Sequence, residues 1–200
     1  MRKKKNKISA VYLLPNLVTL GAMFCGFYSI VSAINALYVQ SAIFILFAML
    51  LDGLDGRVAR LTNTQTSFGE HFDSLSDLLC FGIAPALLIY LSSLSMMTFG
   101  YVAKLSYIAC FVYIASAAIR LARFNSRNQT TDKKYFVGLA SPAAAAIIIC
   151  YVWLLRDVNA DMSSYSTLTF LLIISLSVLM VSSIAYLSFK DINIKQKVPH

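Results

Sequence analysis

The sequence predicts an all-α, polytopic membrane protein with six transmembrane helices, and three observations carry that expectation. The 200-residue chain is 58% hydrophobic and only 13% charged, whereas a soluble domain has about 45–50% apolar and about 25% charged residues. Its mean hydropathy is +0.71. Its basic residues fall between apolar runs. The net charge of +8 is therefore better explained by membrane topology and anionic lipid than by nucleic acid.

A bilayer-crossing helix needs about 20 apolar residues. Six stretches qualify as candidates: 16–37, 38–60, 70–95, 99–124, 137–155 and 166–189. Pro15 suits the first turn of the first helix. Residues 8–14 (ISAVYLL) then read as a separate short N-terminal piece lying along the interface. The basic start, MRKKKNK, could precede a secretory leader. No small-residue cleavage site follows a short apolar core, and further spans come after it, so cleavage is not expected. The whole of 1–200 reads as a single membrane domain, with 1–15 as its basic, interfacial start and 190–200 as a cytoplasmic tail. No repeat or low-complexity linker interrupts it. The longest polar connection runs from Asn125 to Lys134.

Six spans put both termini on one side, and the positive-inside rule selects the side. With the N-terminus inside, fifteen of the seventeen basic residues are cytoplasmic, and only Lys104 and Arg156 fall outside. The expected location is thus the cell inner membrane, with both termini cytoplasmic. Cys25, Cys80, Cys110 and Cys150 all lie in apolar runs with no CxxC pair, and read as small buried side chains rather than a thiol metal site.

The second span is irregular. Its unbroken apolar stretch, Ala42 to Leu51, is too short to cross, and Asp52, Gly53, Asp55, Gly56 and Arg57 follow. The helix can continue to Arg60 only if its lower half faces protein or water. From Asp52 to Asp77 the chain holds five of its nine acids: Asp52, Asp55, Glu70, Asp73 and Asp77. Asp52 and Asp55 are three residues apart, and Asp73 and Asp77 four. Each pair therefore lies on one helix face. The loop 61–69 is short and polar, which makes the two helices antiparallel neighbours with both pairs near the same membrane surface.

Four carboxylates brought this close repel strongly unless something neutralises them. Oxygen-only ligation favours a hard cation, Mg²⁺, Mn²⁺ or Ca²⁺, and four carboxylates can bridge two such ions. Gly53, Gly56 and Ala59 give the second helix a nearly bare face, open to another helix or a bulky ligand. Arg60 adds a planar cation suited to phosphate. Together these suggest a pyrophosphate site. Intramembrane aspartates can also form a proton or ion pathway. A transporter predicts acids spread across the membrane depth, whereas these cluster at one end of two helices.

The segment resembles the signature of the CDP-alcohol phosphatidyltransferases, D-x2-D-G-x2-A-R-x8-G-x3-D-x3-D. It is filled without departure by Asp52, Asp55, Gly56, Ala59, Arg60, Gly69, Asp73 and Asp77. The six-span layout is similar too. The resemblance implies transfer of a phosphatidyl-type group from a CDP-linked lipid to an alcohol, with release of CMP. It implies that Asp52, Asp55 and Asp73 bind metal and that Asp77 both touches metal and acts as general base. It extends the expected CDP-lipid contacts to Asn16, Thr19, Gly56, Ala59, Arg60, Thr66 and Gly69. Asn16 and Thr19 belong to a P-N-x2-T string beginning at Pro15, although both residue types also cap helices. A homodimer in membrane lipid is expected on the same ground.

Two further stretches, RLARFN (Arg120 to Asn125) and FVGLASPAAAA (Phe136 to Ala146), resemble the bacterial phosphatidylserine synthase branch, which usually has Pro where this chain has Ala140. That branch implies CDP-diacylglycerol as donor and L-serine as acceptor. Arg120, Arg123 and Asn125 become acceptor or phosphate candidates. The alternative is that both arginines are ordinary positive-inside anchors. A phosphorylated acceptor, glycerol 3-phosphate or inositol phosphate, stays open because Arg120, Arg123 and Arg127 could supply its extra cations. His71 reads as a local hydrogen-bonding residue and His200 as part of a loose terminus.

Overall fold

A computed structural model describes residues 13–61, 66–96, 100–127, 135–161, 164–182 and 185–187. The basic start, residues 8–12 of the expected interfacial piece, and the tail 190–200 lie outside these. Helix α1 (Leu13–Ile34) takes in Leu13 and Leu14 directly, with Pro15 in its first described turn. It reverses into α2 (Tyr38–Leu61) through a tight turn in which Ala36 adopts φ 60° and Leu37 N–H donates to the Ser32 carbonyl at 2.9 Å. A left-handed residue at a helix C-terminus satisfies the last carbonyls in this way. Small side chains let α1 and α2 close on each other. Ala33, Ala42 and Ala48 are buried, and the hydroxyls of Ser29 and Ser41 meet at 2.8 Å across the seam.

The third expected span is one continuous helical rod with an irregular middle. Helix α3 (Ser67–Asp77) passes through a π-helical turn, Leu78–Ile83, into α4 (Ala84–Ser92). Helix α5 (Gly100–Arg127) packs beside it. Helices α6 (Ser141–Asp157) and α7 (Ser166–Val181) complete the bundle. The rod from α3 to α4 runs through its middle, and α4 belongs to two cores. One joins it to α1, α2 and α6 through Ala42, Ile45, Leu88 and Ile149. The other joins it to α5, α6 and α7 through Ile89, Tyr113, Ile148 and Ile173.

Large apolar side chains also point outward: Phe24, Phe27, Phe47, Leu50, Phe111, Leu154 and Val178 are all exposed. A helix that is hydrophobic all round belongs in lipid. Four helical stretches are long and apolar enough to cross a membrane: Pro15–Ile34, Tyr38–Val58, Ser67–Ser92 and Leu105–Ser126. Helices α6 and α7 have 17 and 16 residues, and at about 1.5 Å per residue each reaches only about 25 Å.

The last two expected spans differ in extent. Tyr135–Val137 (β1) and Ala185–Leu187 (β2) pair antiparallel, with Phe136 opposite Tyr186. Helix α6 therefore starts at Ser141, not 137, and α7 ends at Val181, not 189. Pro142 favours a helix start there. Gly138, at φ 84°, passes so close to α7 that a Cβ would come within 2.5 Å of the Met180 carbonyl oxygen. Leu139 N–H donates to the Leu179 carbonyl at 3.0 Å. Apart from this ribbon the described architecture is helical.

Candidate functional site

Helix α2 runs on through Asp52 and Asp55 without a break to Leu61. Among the described residues, its lower half does not pack against another helix on the glycine side: a Cβ built on Gly53 or on Gly56 meets nothing within 4 Å. The bare face is thus open, as a bulky ligand would need, rather than a helix–helix seam. The side chains of Ala59 and Arg60 lie outside the described residues.

Across from it, α3 begins on a built cap. Thr66 is extended, and its hydroxyl accepts from the Gly69 N–H at 3.0 Å, which satisfies one of the free donors of the first turn. Thr66, expected to contact the CDP-lipid, has a structural task at this position. Gly69 faces both Thr66 and Asn16, since a Cβ there would lie 3.5 Å from Asn16 Oδ1. Asn16 is therefore brought to the head of α3 from the start of α1.

The carboxylates converge. Ligand oxygens of Asp52, Asp55 and Asp73 all lie within 4.8 Å of one another. Asp77 faces Asp52 within hydrogen-bonding range. Asp55 is buried, at 5% exposure, and the Thr19 hydroxyl donates to its Oδ2 at 2.7 Å. Thr19 also contacts the Pro15 carbonyl at 3.1 Å. Thr19, another expected CDP-lipid contact, orients a carboxylate. The Ser76 hydroxyl donates to the Thr19 carbonyl at 3.4 Å, tying α1 to α3 between the two aspartates of the second pair.

Two buried oxygens in this cluster, Asp73 Oδ1 and Asp77 Oδ1, have no hydrogen-bond partner among the described residues. A buried polar atom left without a partner is costly, and a buried charge more so. The donor set is four carboxylates, and hard divalent cations take oxygen ligands. Converging acids with unclaimed oxygens fit such an ion.

The RLARFN segment splits into three jobs. Asn125 Nδ2 donates to the Ser74 hydroxyl at 2.9 Å, and Ser74 donates to the Glu70 carbonyl, so Asn125 grips α3 between Asp73 and Asp77. Arg123 reaches the other way and donates to the Val181 carbonyl at 3.0 Å, where a cation suits a helix C-terminus. Arg120 donates through Nη1 to the Ser141 hydroxyl at 2.8 Å, while its buried Nε has no partner among the described residues. It lies within electrostatic reach of Asp77. His71 is exposed. Ser74, Ser76 and Ser141 were not singled out from the sequence. Only Ser141 carried a signal, standing before Pro142 at a helix start.

The model of the CDP-alcohol phosphatidyltransferase family matches residues 12–188 of this chain. The CDP-diacylglycerol–serine O-phosphatidyltransferase of Helicobacter pylori is 39% identical over 186 residues, covering 92% of this chain and 76% of that protein. The enzyme of the same name from Mycobacterium leprae is 35% identical over 153 residues, or 74% of this chain and 49% of its own length. An archaetidylserine synthase from Methanothermobacter thermautotrophicus is 34% identical over 182 residues, 90% of this chain and 72% of that protein.

Proposed function

This chain belongs to the CDP-alcohol phosphatidyltransferase family, and from that premise we propose that it transfers the phosphatidyl group of CDP-diacylglycerol to L-serine, releasing CMP and forming phosphatidylserine. The observation that carries the reading is the pair of unclaimed buried oxygens, on Asp73 and on Asp77, where Asp52, Asp55 and Asp73 converge and Asp77 faces Asp52, beside the open Gly53/Gly56 face.

Asp52, Asp55, Asp73 and Asp77 would hold the divalent cation, Mg²⁺ or Mn²⁺, in one or two copies. Its chemistry is to neutralise charge on the donor pyrophosphate and on the leaving CMP. The chain's own residues do the rest. The bare helix face admits the donor close to the α2 backbone. Asp77 takes the proton from the serine hydroxyl. The serine oxygen bonds to the phosphatidyl phosphorus, the phosphorus–oxygen bond to CMP breaks, and CMP departs with that electron pair. Arg120 Nε, unpartnered and near Asp77, suits the carboxylate of the acceptor.

Arg123 is engaged with the Val181 carbonyl, and the serine O-phosphatidyltransferases among the relatives support serine as the acceptor. The topology that goes with this reading has six spans, an interfacial N-terminal piece and both termini cytoplasmic. In it the site opens to the cytoplasmic side of the inner membrane, and the chain is a homodimer.

An acceptor screen tests the assignment. Purified protein receives CDP-diacylglycerol, Mn²⁺ and each alcohol in turn, and CMP release is followed. CMP is expected with L-serine. Its absence there, with release on glycerol 3-phosphate or inositol phosphate, overturns the acceptor. Its absence with every alcohol overturns the transferase reading.

A further inference from the structure

Asp73 and Asp77 ride on α3, which runs straight into an irregular turn. Residues Leu78–Ile83 are π-helical, and the Ala84 N–H donates to the Leu79 carbonyl, five residues back. Pro85 supplies the cause. In an α-helix its ring would press on the carbonyl of residue 81, and it has no N–H to offer that oxygen. Widening the turn by one residue relieves the clash, and single π turns of this kind are frequent at functional sites.

Deprived of an N–H from residue 85, the Phe81 carbonyl needs another donor, because Phe81 is fully buried. The donor comes from another helix. Tyr113 of α5, 0% exposed, gives its hydroxyl to Phe81 O at 3.0 Å. Each residue advances an α-helix by about 100°. One extra residue in the turn therefore rotates the α3 carboxylates by about that angle against the core-facing side of α4.

We infer that Tyr113 is a positioning residue for the aspartate site: it holds the Phe81 carbonyl, to which Pro85 offers no N–H, so keeping the π turn that aims Asp73 and Asp77 at Asp52 and Asp55. The inference rests on the metal-and-base reading of those aspartates. A Tyr that merely filled the core would act through its ring. This one acts through its hydroxyl.

The test uses the full-length protein and four variants: Tyr113→Phe, Pro85→Ala, the two combined, and Asp77→Asn. Three quantities are read: Mn²⁺ affinity by electron paramagnetic resonance, kcat and KM for CDP-diacylglycerol at saturating Mn²⁺, and the thermal midpoint. Tyr113→Phe keeps the ring and loses the donor. Its Mn²⁺ affinity is expected to fall about tenfold, the scale seen when a group behind a metal ligand is removed. Its kcat should fall while KM stays within about twofold.

Pro85→Ala gives residue 85 an N–H for the same carbonyl and lets the turn relax to α register, so Mn²⁺ affinity and kcat fall in that variant as well. In the combined variant the new N–H at position 85 serves the Phe81 carbonyl, and Tyr113→Phe adds no further loss in any readout. Multiplying losses would show that Tyr113 acts by packing and overturn the inference. Wild-type Mn²⁺ affinity in Tyr113→Phe would also overturn it. Should that variant not fold, wild-type Mn²⁺ affinity in Pro85→Ala does the same. Asp77→Asn separates the two readings: wild-type turnover there removes the base, while the Mn²⁺ affinities of the other variants still decide the role of Tyr113.

Discussion

Two places in this bundle bury polar groups among apolar helices, and they treat them oppositely. Where the far end of α4 meets the start of α7, the hydroxyls of Ser93 and Thr169 meet at 3.1 Å and Tyr151 reaches Thr169 at 2.8 Å. Ser166 donates to the Ser93 carbonyl, and Thr169 also meets the Tyr165 carbonyl. That network is closed. At the other end of the α3–α4 rod the aspartates converge and two of their buried oxygens are left over. A closed polar network adds rigidity and asks for nothing more. An open one, made of carboxylates, has oxygens to offer a cation. The difference separates a structural polar cluster from a site more sharply than polarity or burial alone, since Thr169 is more deeply buried than any of the four aspartates.

The comparison can be broken by experiment. The largest effect is expected at Asp77. Asp77→Asn removes the proton acceptor with little change of shape, and turnover should fall by about 10²–10⁴ while CDP-diacylglycerol still protects the protein in a thermal-shift assay. Wild-type turnover would mean that the unclaimed oxygen of Asp77 has no part in the chemistry. Next comes Thr19→Val, which deletes the donor to Asp55 Oδ2 at nearly constant volume. Mn²⁺ affinity should weaken about tenfold, as read by titration. An unchanged affinity would make Thr19 a helix-packing residue only.

The smallest effect on activity is expected in the closed network. Thr169→Val leaves Ser93 and Tyr151 short of a partner, and stability should drop by about 1–3 kcal/mol, measured by denaturant or thermal unfolding. Turnover per folded molecule should not change. A loss of turnover matching that of Asp77→Asn would erase the distinction between the two clusters.

Much of the site was legible in the chain because its information is local. The i, i+3 and i, i+4 spacings of the aspartates need only a helix to be read, and Gly53 and Gly56 announce a bare surface by composition. What was not legible depends on partners distant in sequence. That Thr19 donates to Asp55, 36 residues away, cannot be read from the chain. Nor can the bond from Arg123 to the end of α7, 58 residues on. The π turn had a local cue in Pro85, but the residue that answers it, Tyr113, is invisible without the packing of α5. The ribbon was missed for a different reason. Tyr-Phe-Val and Ala-Tyr-Leu are short apolar runs flanking apolar helices, and periodicity alone cannot tell such a strand from a helix end.

That ribbon has a mechanical consequence. By joining Phe136 to Tyr186, it fastens together two points of the chain that lie on either side of α6 and α7, so these helices form a loop shut at its base. A shut loop has fewer ways to come apart than two free helices. The root of the loop holds Ser141, the hydroxyl on which Arg120 leans. Shortening the chain to before Ala185 would therefore loosen a clasp, and the slack would be felt at an arginine far back along the chain.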